Sequence, residues 1–520
     1  MTSPVVTCVV AVLLLTCSCC GHGARILGIF PTPAMSHQLP FQVIMKALAA
    51  RGHQVTVISP NPLKTPVANY TDVDLSFCYD LVNSSVDYNT MHLIEPLSSM
   101  RFYHEAYLKI IDLQLSSPQM QAFMKSKPKF DLVFIEKLFF PAYNGLAHFV
   151  GSPPVISIIS FGGKTTAYTA IGNPHHPAVI PDVMTSYSDH MTFWERLYNI
   201  YVYVMYHYLW YQEFIPKQEV LVRKHFGSGP PPLYEADYND SLLLVNNHWS
   251  LSYVKPLLPN VVEVTGLHVK TKADPLPKDI KNFLDGAEHG VVYFSLGSLV
   301  RSEKLPKEKL NHIVQAFSEI PQRVLWKWEA DVLPGLSSNV MQAKWMPQQD
   351  ILPHPNIRVF ITQGGLQSFQ EAAYHGVPLI GMPFLGDQKY NVGKFVSAKI
   401  GVGLPLNDLT KETLLEALGK VINDSSYREN MKTFSAVYRE EVGPSLDRAI
   451  WWIEYVIRHN GARHLRSAAL DLAWYQYLLL DVIAVLGLAL VAALSVTYVV
   501  LKKTITLSKR YFFTSKLKKS

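Results

Sequence analysis

The residues best suited to chemistry lie in one stretch of 44 residues, residues 345–388. Trp345 stands in a polar turn bounded by proline, where an indole ring can stack on a nucleobase, a contact worth about 1 to 3 kcal/mol. The pair Gly364-Gly365 leaves backbone N–H groups open to a phosphate. Carboxylates and amides suited to the vicinal hydroxyls of sugars complete the set: Gln348, Glu371, Asp387 and Gln388. We therefore predict a nucleotide-sugar site, because a packed helix or strand needs no such combination.

A second glycine turn, Gly297-Ser298, follows an apolar run at residues 291–295. Ligands of open α/β sheets bind at the carboxyl ends of strands, where loops meet helix N-termini. A diphosphate can bridge this turn and Gly364-Gly365. Ser368, in the helix that follows Gly365, is also predicted to bind the nucleotide sugar. A glycine after a strand is weak support alone, since tight turns need it anyway.

Parallel sheets must position these loops. In the second half of the chain, helical patterns alternate with four apolar runs, at residues 291–295, 323–328, 358–362 and 378–382. A doubly wound parallel sheet requires this alternation. In the first half, a βαβ unit is predicted over residues 25–59, with further strands at 132–135 and 155–159. The first turn of that unit, PTPAMSHQ, lacks the G-x-G-x-x-G pattern, so no dinucleotide is expected there.

Both ends of the chain carry membrane-related signals. Residues 1–23 combine an apolar run with small residues near Gly23 and are predicted to be a secretory signal, with an N-terminal membrane anchor as the alternative. Residues 482–501 contain no charge and, at about 1.5 Å each, cover the roughly 30 Å hydrocarbon layer. The tail at residues 502–520 holds seven lysines and arginines and no acid. The positive-inside rule then predicts a type I single-pass protein with a cytosolic tail and lumenal domains.

The net charge argues against a nucleic-acid partner. The formal charge of +6 comes from the tail, since the rest of the chain has 40 lysines and arginines against 41 acidic residues. Binding to nucleic acid therefore loses its main electrostatic support. The last five residues, KLKKS, match the dilysine pattern that returns membrane proteins to the endoplasmic reticulum. A basic cluster held by anionic lipid is the alternative.

Cysteine use is more informative than the total. Four of the five cysteines lie within the first twenty residues, which leaves Cys78 alone in the mature chain. An intrachain disulfide and a cysteine-based zinc site are thereby excluded. In a lumenal protein, four N-x-S/T sequons are candidate glycan acceptors: Asn69, Asn83, Asn239 and Asn423.

Composition also divides the chain into domains. Prolines cluster at residues 256–277, which we interpret as a linker between an N-terminal domain, residues 24–255, and a C-terminal domain, residues 278–446. Helices over residues 447–480, the first of them aromatic, lead to the membrane segment. Residues 191–214 are helical and rich in tyrosine. They are predicted either to pack in the core or cover an apolar ligand, or to contact a membrane surface.

Several motifs together carry a resemblance to a known family. The chain reads W-x-x-Q at Trp345 and Gln348, F-I-T-Q-G-G at residues 360–365, glutamate at 371 and D-Q at 387–388. With FSLGS, VLWKWE and WWIEYVIRHNGARHLR, these motifs resemble the UDP-glycosyltransferases over nearly the whole mature chain. The resemblance implies the α/β fold called GT-B, two Rossmann-like doubly wound domains facing a cleft. It also implies inverting transfer of a sugar from a UDP-sugar co-substrate to a small lipophilic acceptor, with no metal ion and no other cofactor.

One donor-side residue departs from the family pattern. The family often has histidine where this chain has Gln363, the phosphate-facing residue before the double glycine. Glutamine donates a hydrogen bond but brings no charge. Arthropod members commonly read ITQGG, so the chain resembles an arthropod-like member. We expect UDP-glucose as donor, with UDP-glucuronate as the alternative, because no residue near Asp387 offers an evident cation for a glucuronate carboxylate.

The resemblance also assigns a catalytic pair. An acceptor hydroxyl needs a base, because an alcohol is a poor nucleophile until its proton is being removed. His37, which follows the first strand and opens the first helix, matches the family's catalytic histidine. The family's aspartate, which fixes that histidine, is matched by Glu136 at the end of FDLVFIE, with a strand-end surface charge as the alternative. Asp131 begins the same strand and is expected at the opposite edge.

Two other functions are weighed against the enzyme. A catalytically silent, membrane-anchored carrier of hydrophobic ligands is suggested because Glu136 and Gln363 depart from the family together. A cell-surface receptor of similar topology is the third class, and the dilysine ending argues against it. Acceptor identity is expected to depend on the variable residues 65–250, and a homo-oligomer is left open as a further partner.

Overall fold

The computed structural model describes residues 23–85 and 87–517. The predicted signal segment up to residue 22 and the last three residues, which include Lys518 of the dilysine pattern, lie outside the described residues. The chain forms two compact units, one ending at Arg466 and the other beginning at Ser467. Two parallel sheets lie in the first unit.

The first sheet has seven strands, and every pairing in it is parallel. The strands are β1 (Arg25–Ile29), β2 (Gln54–Ser59), β3 (Tyr70–Asp74), β4 (Leu132–Glu136), β5 (Val155–Ile159), β6 (Leu242–Asn246) and β7 (Val261–Val264). Their spatial order is β3-β2-β1-β4-β5-β6-β7. The central strands are near-continuous apolar runs, which a parallel sheet covered on both faces requires.

Helices cover both faces of this sheet. They are α1 (Met35–Ala50), α2 (Cys78–Ser85), α3 (Pro96–Ser116), α4 (Pro118–Lys125), α5 (Tyr143–Phe149), α6 (Thr165–Ala170), α7 (Phe193–Tyr208), α8 (Ile215–Phe226) and α9 (Leu233–Asp237), with a 3₁₀ turn at Tyr88–Leu93. Helix α1 packs on one face, where Phe41 and Leu48 meet Ile26 and Phe134. Helices α3, α4, α5 and α8 pack on the other face.

The tyrosine-rich stretch predicted at residues 191–214 has two different faces. Helix α7 continues through a π-helical segment, Leu209–Phe214, into α8. Tyr206 and Trp210 are buried in the core of the first sheet. Phe193 and Trp194 are 62% and 73% exposed on the opposite face of α7. The stretch is therefore helical as predicted, with one aromatic face in the core and another on the surface.

The second sheet has six parallel strands. They are β8 (Val291–Ser295), β9 (Arg323–Lys327), β10 (Val340–Ala343), β11 (Ile357–Thr362), β12 (Leu379–Gly381) and β13 (Gly401–Gly403). The spatial order is β10-β9-β8-β11-β12-β13. The first six strands of the first sheet follow the same order, so each sheet reverses direction once, at β1/β4 and at β8/β11. Such a reversal is the ligand-binding point of an open α/β sheet.

The helices around the second sheet continue the alternation that the sequence predicts. They are α10 (Lys278–Asp285), α11 (Lys307–Glu319), α12 (Gln348–Ile351), α13 (Leu366–His375), α14 (Gln388–Ser397), α15 (Lys411–Asn423) and α16 (Ser425–Arg458), with 3₁₀ turns at Ser302–Lys304, Leu406–Asp408 and Arg463–Leu465. Helix α13 begins directly after Gly364-Gly365 and ends at Gly376, whose φ of +72° provides a left-handed cap.

The first sheet extends into the predicted linker. Strand β7 lies within residues 256–277 and pairs with β6, so the segment that joins the two sheets begins only after Val264. A four-residue strand preceded by Pro256 and Pro259 is too short to give a periodic signal among prolines. The linker boundary at residue 256 is corrected accordingly.

One helix belongs to both halves of the first unit. Helix α16 is a single helix of 34 residues that contains Pro444. Its Met431 and Tyr438 pack in the core of the second sheet, and its Ala449 and Ile453 pack in the core of the first. The predicted boundary at residue 446 therefore falls inside a continuous helix rather than between two elements.

The second unit contains the predicted apolar C-terminal helix. After a 3₁₀ turn at Ala468–Asp471 and a short helix, α17 (Trp474–Tyr477), helix α18 runs from Leu480 to Leu517. Its residues 480–515 are long and apolar enough to cross a membrane. The helix is longer than the predicted span because the basic residues after 501 continue it.

Candidate active site

His37 and Glu136 come from adjacent strands at the reversal point of the first sheet. His37 is the third residue of α1, which follows β1, and Glu136 is the last residue of β4. His37 Nδ1 lies 2.8 Å from Glu136 Oε1. The second carboxylate oxygen, Oε2, accepts a hydrogen bond of 3.2 Å from the backbone N–H of Thr32. Both carboxylate oxygens are thereby held.

The two side chains of this contact differ in burial, so that His37 and not Glu136 is open to a ligand. The Glu136 side chain is 1% exposed, whereas the His37 side chain is 20% exposed. A carboxylate fixed on Nδ1 sets the orientation of the imidazole ring and leaves Nε2 as the nitrogen for a ligand. Asp131 lies at the other end of β4, where its Oδ2 accepts a 2.7 Å hydrogen bond from the Arg25 N–H, as expected for the opposite edge.

His37 lines a cavity that both halves of the unit form. The cavity encloses about 790 Å³, counting the space open to solvent. Asp387 lines it from the second half, beside Leu385 and Gly386. Aromatic and apolar side chains of the first half form most of its wall: Met100, Tyr103, Tyr107, Leu138, Phe139, Phe161, Met184 and Tyr206.

The two glycine turns meet at the reversal point of the second sheet. Gly297 follows β8 with φ of +82°, and Gly364 follows the adjacent strand β11 with φ of +83°, a conformation that favours glycine. A Cβ added to Gly297 would lie 2.2 Å from Gln363 Nε2, so the side chain of Gln363 reaches from one turn to the other. Gly365 is the N-cap of α13, and Ser298 is exposed on the Gly297 turn.

A polar cluster joins three of the predicted residues. Gln348 Nε2 donates to Glu371 Oε2 at 2.6 Å and to Ser368 Oγ at 3.1 Å. The other carboxylate oxygen of Glu371 lies 3.3 Å from His268 Nε2. Trp345, which precedes α12, is 78% exposed. An exposed indole ring beside such a cluster can stack on a base whose sugar hydroxyls bind the carboxylate.

Asp387 and Gln388 lie where the loop after β12 enters α14, Asp387 as the N-cap and Gln388 as the first residue of the helix. Burial raises the pKa of Asp387, and the hydrogen bond from Asn391 and the nearby His37 offset part of the rise. Asn391 Nδ2 donates to Asp387 Oδ2 and to the carbonyl of Gly364, both at 2.9 Å. Gln388 Oε1 accepts hydrogen bonds from two backbone N–H groups of its own loop, at 2.8 and 3.1 Å. The Gln388 oxygen therefore orders the loop.

The predicted residues thus form two groups, His37 with Glu136 and the donor-side residues around the second sheet. The sequence analysis missed Asn391, which lies one helical turn after Asp387 and links Asp387 to the Gly364 turn by hydrogen bonds. It also missed His268, since that histidine lies in the predicted linker. The aromatic wall of the cavity comes from separate helices and loops and leaves no pattern in the sequence.

Three of the four sequon asparagines, Asn69, Asn239 and Asn423, are exposed, and the side chain of Asn83 lies outside the described residues. Asn69 Nδ2 also donates to the carbonyl of Ala49 at 3.2 Å. Within the described ranges, no group of three or more histidine, cysteine or acidic side chains is placed to hold a metal ion.

The two parallel sheets and their paired reversal points define the fold class called GT-B. The structure is similar to that of a solved UDP-glucose:anthocyanidin 3-O-glucosyltransferase in complex with UDP, with a TM-score of 0.55 and 15% identity over 84% of this chain and 100% of that chain. The predicted fold is therefore confirmed, with two Rossmann-like parallel sheets and an apolar C-terminal helix.

Sequence comparison defines the family. The model described as "UDP-glucoronosyl and UDP-glucosyl transferase" matches residues 24–519. The chain is 39% identical to UDP-glucosyltransferase 2 of Dactylopius coccus, over 89% of this chain and 90% of that protein. It is 35% identical to UDP-glucuronosyltransferase 2B7 of Homo sapiens, over 90% of each. The chain belongs to the UDP-glycosyltransferase family and is an enzyme of that family, as the sequence resemblance predicts.

Proposed function

We propose that this enzyme transfers a hexosyl group, glucose in preference to glucuronate, from a UDP-sugar to a hydroxyl of a small lipophilic acceptor, with inversion and without a metal ion. Detoxification or hormone conjugation is the expected setting. The observation that carries the proposal is the 2.8 Å contact between Glu136 and His37, the latter lining a cavity that Asp387 also lines.

The reaction proceeds in one displacement. His37 Nε2 takes the proton of the acceptor hydroxyl while the acceptor oxygen forms a bond to the anomeric carbon. The bond from that carbon to the diphosphate oxygen breaks, and UDP leaves with the electron pair. Glu136 stabilises the imidazolium, which later releases its proton to solvent. Attack on the face opposite the leaving group inverts the anomeric configuration.

The donor fits the residues around the second sheet. Trp345 stacks on uracil, Gln348 and Glu371 bind the uracil edge and the ribose hydroxyls, and Ser368 supports Gln348. The amides of Ser298, Gly364 and Gly365, with Gln363, stabilise the diphosphate at the N-terminus of α13. Asp387 and Gln388 bind hydroxyls of the transferred sugar. A relative named as a glucosyltransferase supports glucose, and the glucuronosyltransferase relatives keep UDP-glucuronate as the alternative donor.

The proposed setting is the membrane of the endoplasmic reticulum. A cleaved signal near Gly23, the α18 span and the basic tail support a type I protein with lumenal domains. Endoglycosidase H should then shift the mobility of the expressed protein, and replacing the asparagine of each sequon should show which are used. A protein without glycans whose domains are digested in sealed membranes by added protease would contradict this orientation.

The test of the reaction uses the full-length protein in permeabilised membranes. Membranes are incubated with 1-naphthol and either UDP-glucose or UDP-glucuronate, and the glycoside and released UDP are quantified. His37→Ala should lower kcat by about 10² to 10⁴-fold, the typical contribution of a general base, with UDP affinity unchanged. His190→Ala, whose side chain is 91% exposed, is the matched control. Full turnover by His37→Ala would exclude His37 as the base.

A further inference from the structure

A buried lysine lines the same cavity as His37. Lys164, the residue before α6, is 3% exposed. Its Nζ donates a hydrogen bond to the carbonyl of Leu138 and lies 3.3 Å from the centroid of the Trp210 ring. The Phe139 ring centroid is 5.4 Å away. In the described part of the chain, no carboxylate forms a salt bridge with Lys164.

The neighbouring lysine shows how a structural lysine is satisfied in this domain. Lys137 Nζ lies 2.8 Å from Asp237 Oδ1 and 2.7 Å from Asp240 Oδ2, and all three side chains are buried. Lys164 has one carbonyl acceptor and two aromatic faces instead. An ammonium has three donors, and a buried charge is costly unless it is paired. Burial accordingly lowers the pKa of Lys164 well below its ordinary value.

The rest of the cavity fits a planar ligand with one acidic group. Tyr103, Tyr107 and Phe161 contribute rings to its wall. A flat aromatic ligand packs between such rings. A carboxylate on that ligand supplies the direct ion pair that Lys164 lacks, since Asp237 acts on the ammonium only from beyond salt-bridge distance. Since His37 and Lys164 line one cavity, a single small molecule can meet both.

We propose that the natural acceptor is an aromatic hydroxy acid, whose carboxylate pairs with the Lys164 ammonium while its hydroxyl faces His37. This rests on the proposed function, because it takes the cavity at His37 as the acceptor site. Lys164 is then a residue that determines acceptor specificity and takes no part in bond making.

Two other roles for Lys164 are outcomes of the test. Its ammonium could bind the carboxylate of a glucuronate donor, in which case the choice of donor and not of acceptor depends on it. Alternatively, the hydrogen bond from Lys164 to Leu138 only holds the loop after Glu136. Replacing Lys164 then lowers the activity with all three acceptors equally.

The experiment compares three matched acceptors with UDP-glucose: 6-hydroxy-2-naphthoate, its methyl ester and 2-naphthol. The 2-naphthol reaction is repeated with UDP-glucuronate. The wild-type full-length enzyme should use the acid with kcat/KM at least equal to that of the ester. Lys164→Met should lower kcat/KM for the acid by about 30-fold or more, as expected when one partner of a buried charge pair is lost. The values for ester and naphthol should stay within about threefold.

Lys255→Met is the matched control. Lys255 is also an interior lysine, its Nζ lies 4.3 Å from the Tyr168 ring centroid, and it lines a different cavity. The acid-to-ester ratio of this variant should equal that of the wild type. If Lys164→Met does not fold, the acid-to-ester ratio of the wild-type enzyme decides the question. A buried cavity that offers no cation to a carboxylate would reject the acid.

Four results would overturn the proposal. The first is a wild-type kcat/KM for the acid more than tenfold below that for the ester, and the second is an equal loss of kcat/KM for all three acceptors in Lys164→Met. The third is an equal change of the acid-to-ester ratio in Lys164→Met and Lys255→Met. The fourth is a loss of activity in Lys164→Met that is confined to UDP-glucuronate as donor. If none of the three acceptors is glucosylated although UDP binds, the proposed function itself fails. If ester and naphthol react and the acid does not, only the acceptor proposal fails.

Discussion

The contact between His37 and Glu136 makes a sharp prediction about the charge of the carboxylate. Glu136 accepts hydrogen bonds from two donors, the imidazole and the Thr32 N–H, through its two oxygens. In Glu136→Gln one of those oxygens becomes an NH₂ group. If the amide oxygen stays with Thr32, the NH₂ faces His37 Nδ1, which must then accept. The proton moves to Nε2, and the ring is no longer a base toward the acceptor.

The magnitude follows from the 2.8 Å separation of Nδ1 and Oε1. Two unit charges at that distance attract by about 6 kcal/mol at an effective dielectric constant of 20. The His37 side chain is 20% exposed, so solvent screens part of this attraction. We expect Glu136→Gln to lose about 3 to 4 kcal/mol of transition-state stabilisation, or about 10² to 10³-fold in kcat. Glu136→Asp keeps the charge but shortens the arm, and we expect about a tenfold loss.

The assay is steady-state formation of 1-naphthyl glucoside by full-length variants in permeabilised membranes. UDP affinity is measured in parallel and should be unchanged in both variants, because Glu136 lies in the first sheet. The ordering wild type, Glu136→Asp, Glu136→Gln is the diagnostic result. If Glu136→Gln keeps more activity than Glu136→Asp, the length of the side chain matters and its charge does not, and the charge argument is refuted.

Other sites give independent predictions. Trp345→Ala should raise the donor KM by about 5- to 100-fold, the worth of one stacked base, whereas Trp345→Phe should retain most affinity; an unchanged KM in titrations of UDP-glucose would remove the stacking role. Gly297→Ala places a methyl group 2.2 Å from Gln363 Nε2 at φ of +82°, so calorimetry should show weaker UDP binding, while Gly335→Ala, at φ of +81° in open space, should bind UDP normally. Burial lowers the pKa of His104 to about 3, so the folded state keeps it neutral while the unfolded chain takes up a proton below about pH 6.5. The stabilisation from the neutral histidine is present above pH 6.5 and is lost as the pH falls toward 3, and the loss is about 2 kcal/mol at pH 5. His104→Gln should therefore show a smaller fall in Tm between pH 7 and pH 5 than the wild type. Parallel curves of Tm against pH for the two proteins would contradict the argument.

The sequence predicted four strands of each sheet, because these parallel strands are short apolar runs flanked by helices. It failed where tertiary packing overrides local signals. The predicted domain boundary at residue 446 lies close to Gly443-Pro444, a pair that disfavours a continuous helix, yet α16 runs through it because Tyr438 and Ala449 are buried in two different cores. Strand β7 was hidden among prolines for the same reason: pairing with β6, and not its composition, makes it a strand.

The donor side of the site gave a clearer signal in the sequence than the acceptor side. Apart from Gly297 and Ser298, its proposed residues lie within one stretch, at fixed offsets from glycine turns, so residue types and spacing were enough to propose them. The contact of Glu136 with His37 joins residues 99 positions apart, and its geometry depends on one methylene group, which a sequence pattern does not measure. Lys164 gave no signal, because the sequence does not show that a buried lysine has no carboxylate in direct contact among the described residues, with Asp237 acting on it only from a longer distance.

Helix α13 explains how two half-sites on different sheets can act together. Its N-terminus borders the proposed diphosphate site at Gly365. Its Gln367 Nε2 donates to the carbonyl of Ser160, after β5, at 3.0 Å, and its Gln370 Nε2 donates to Asn246 Oδ1, at the end of β6, at 2.8 Å. The helix that borders the proposed donor site is therefore fixed to the sheet that carries the proposed base, His37. Substitutions on this face of α13 are expected to alter catalysis by changing the distance between donor and base, without contact to either substrate.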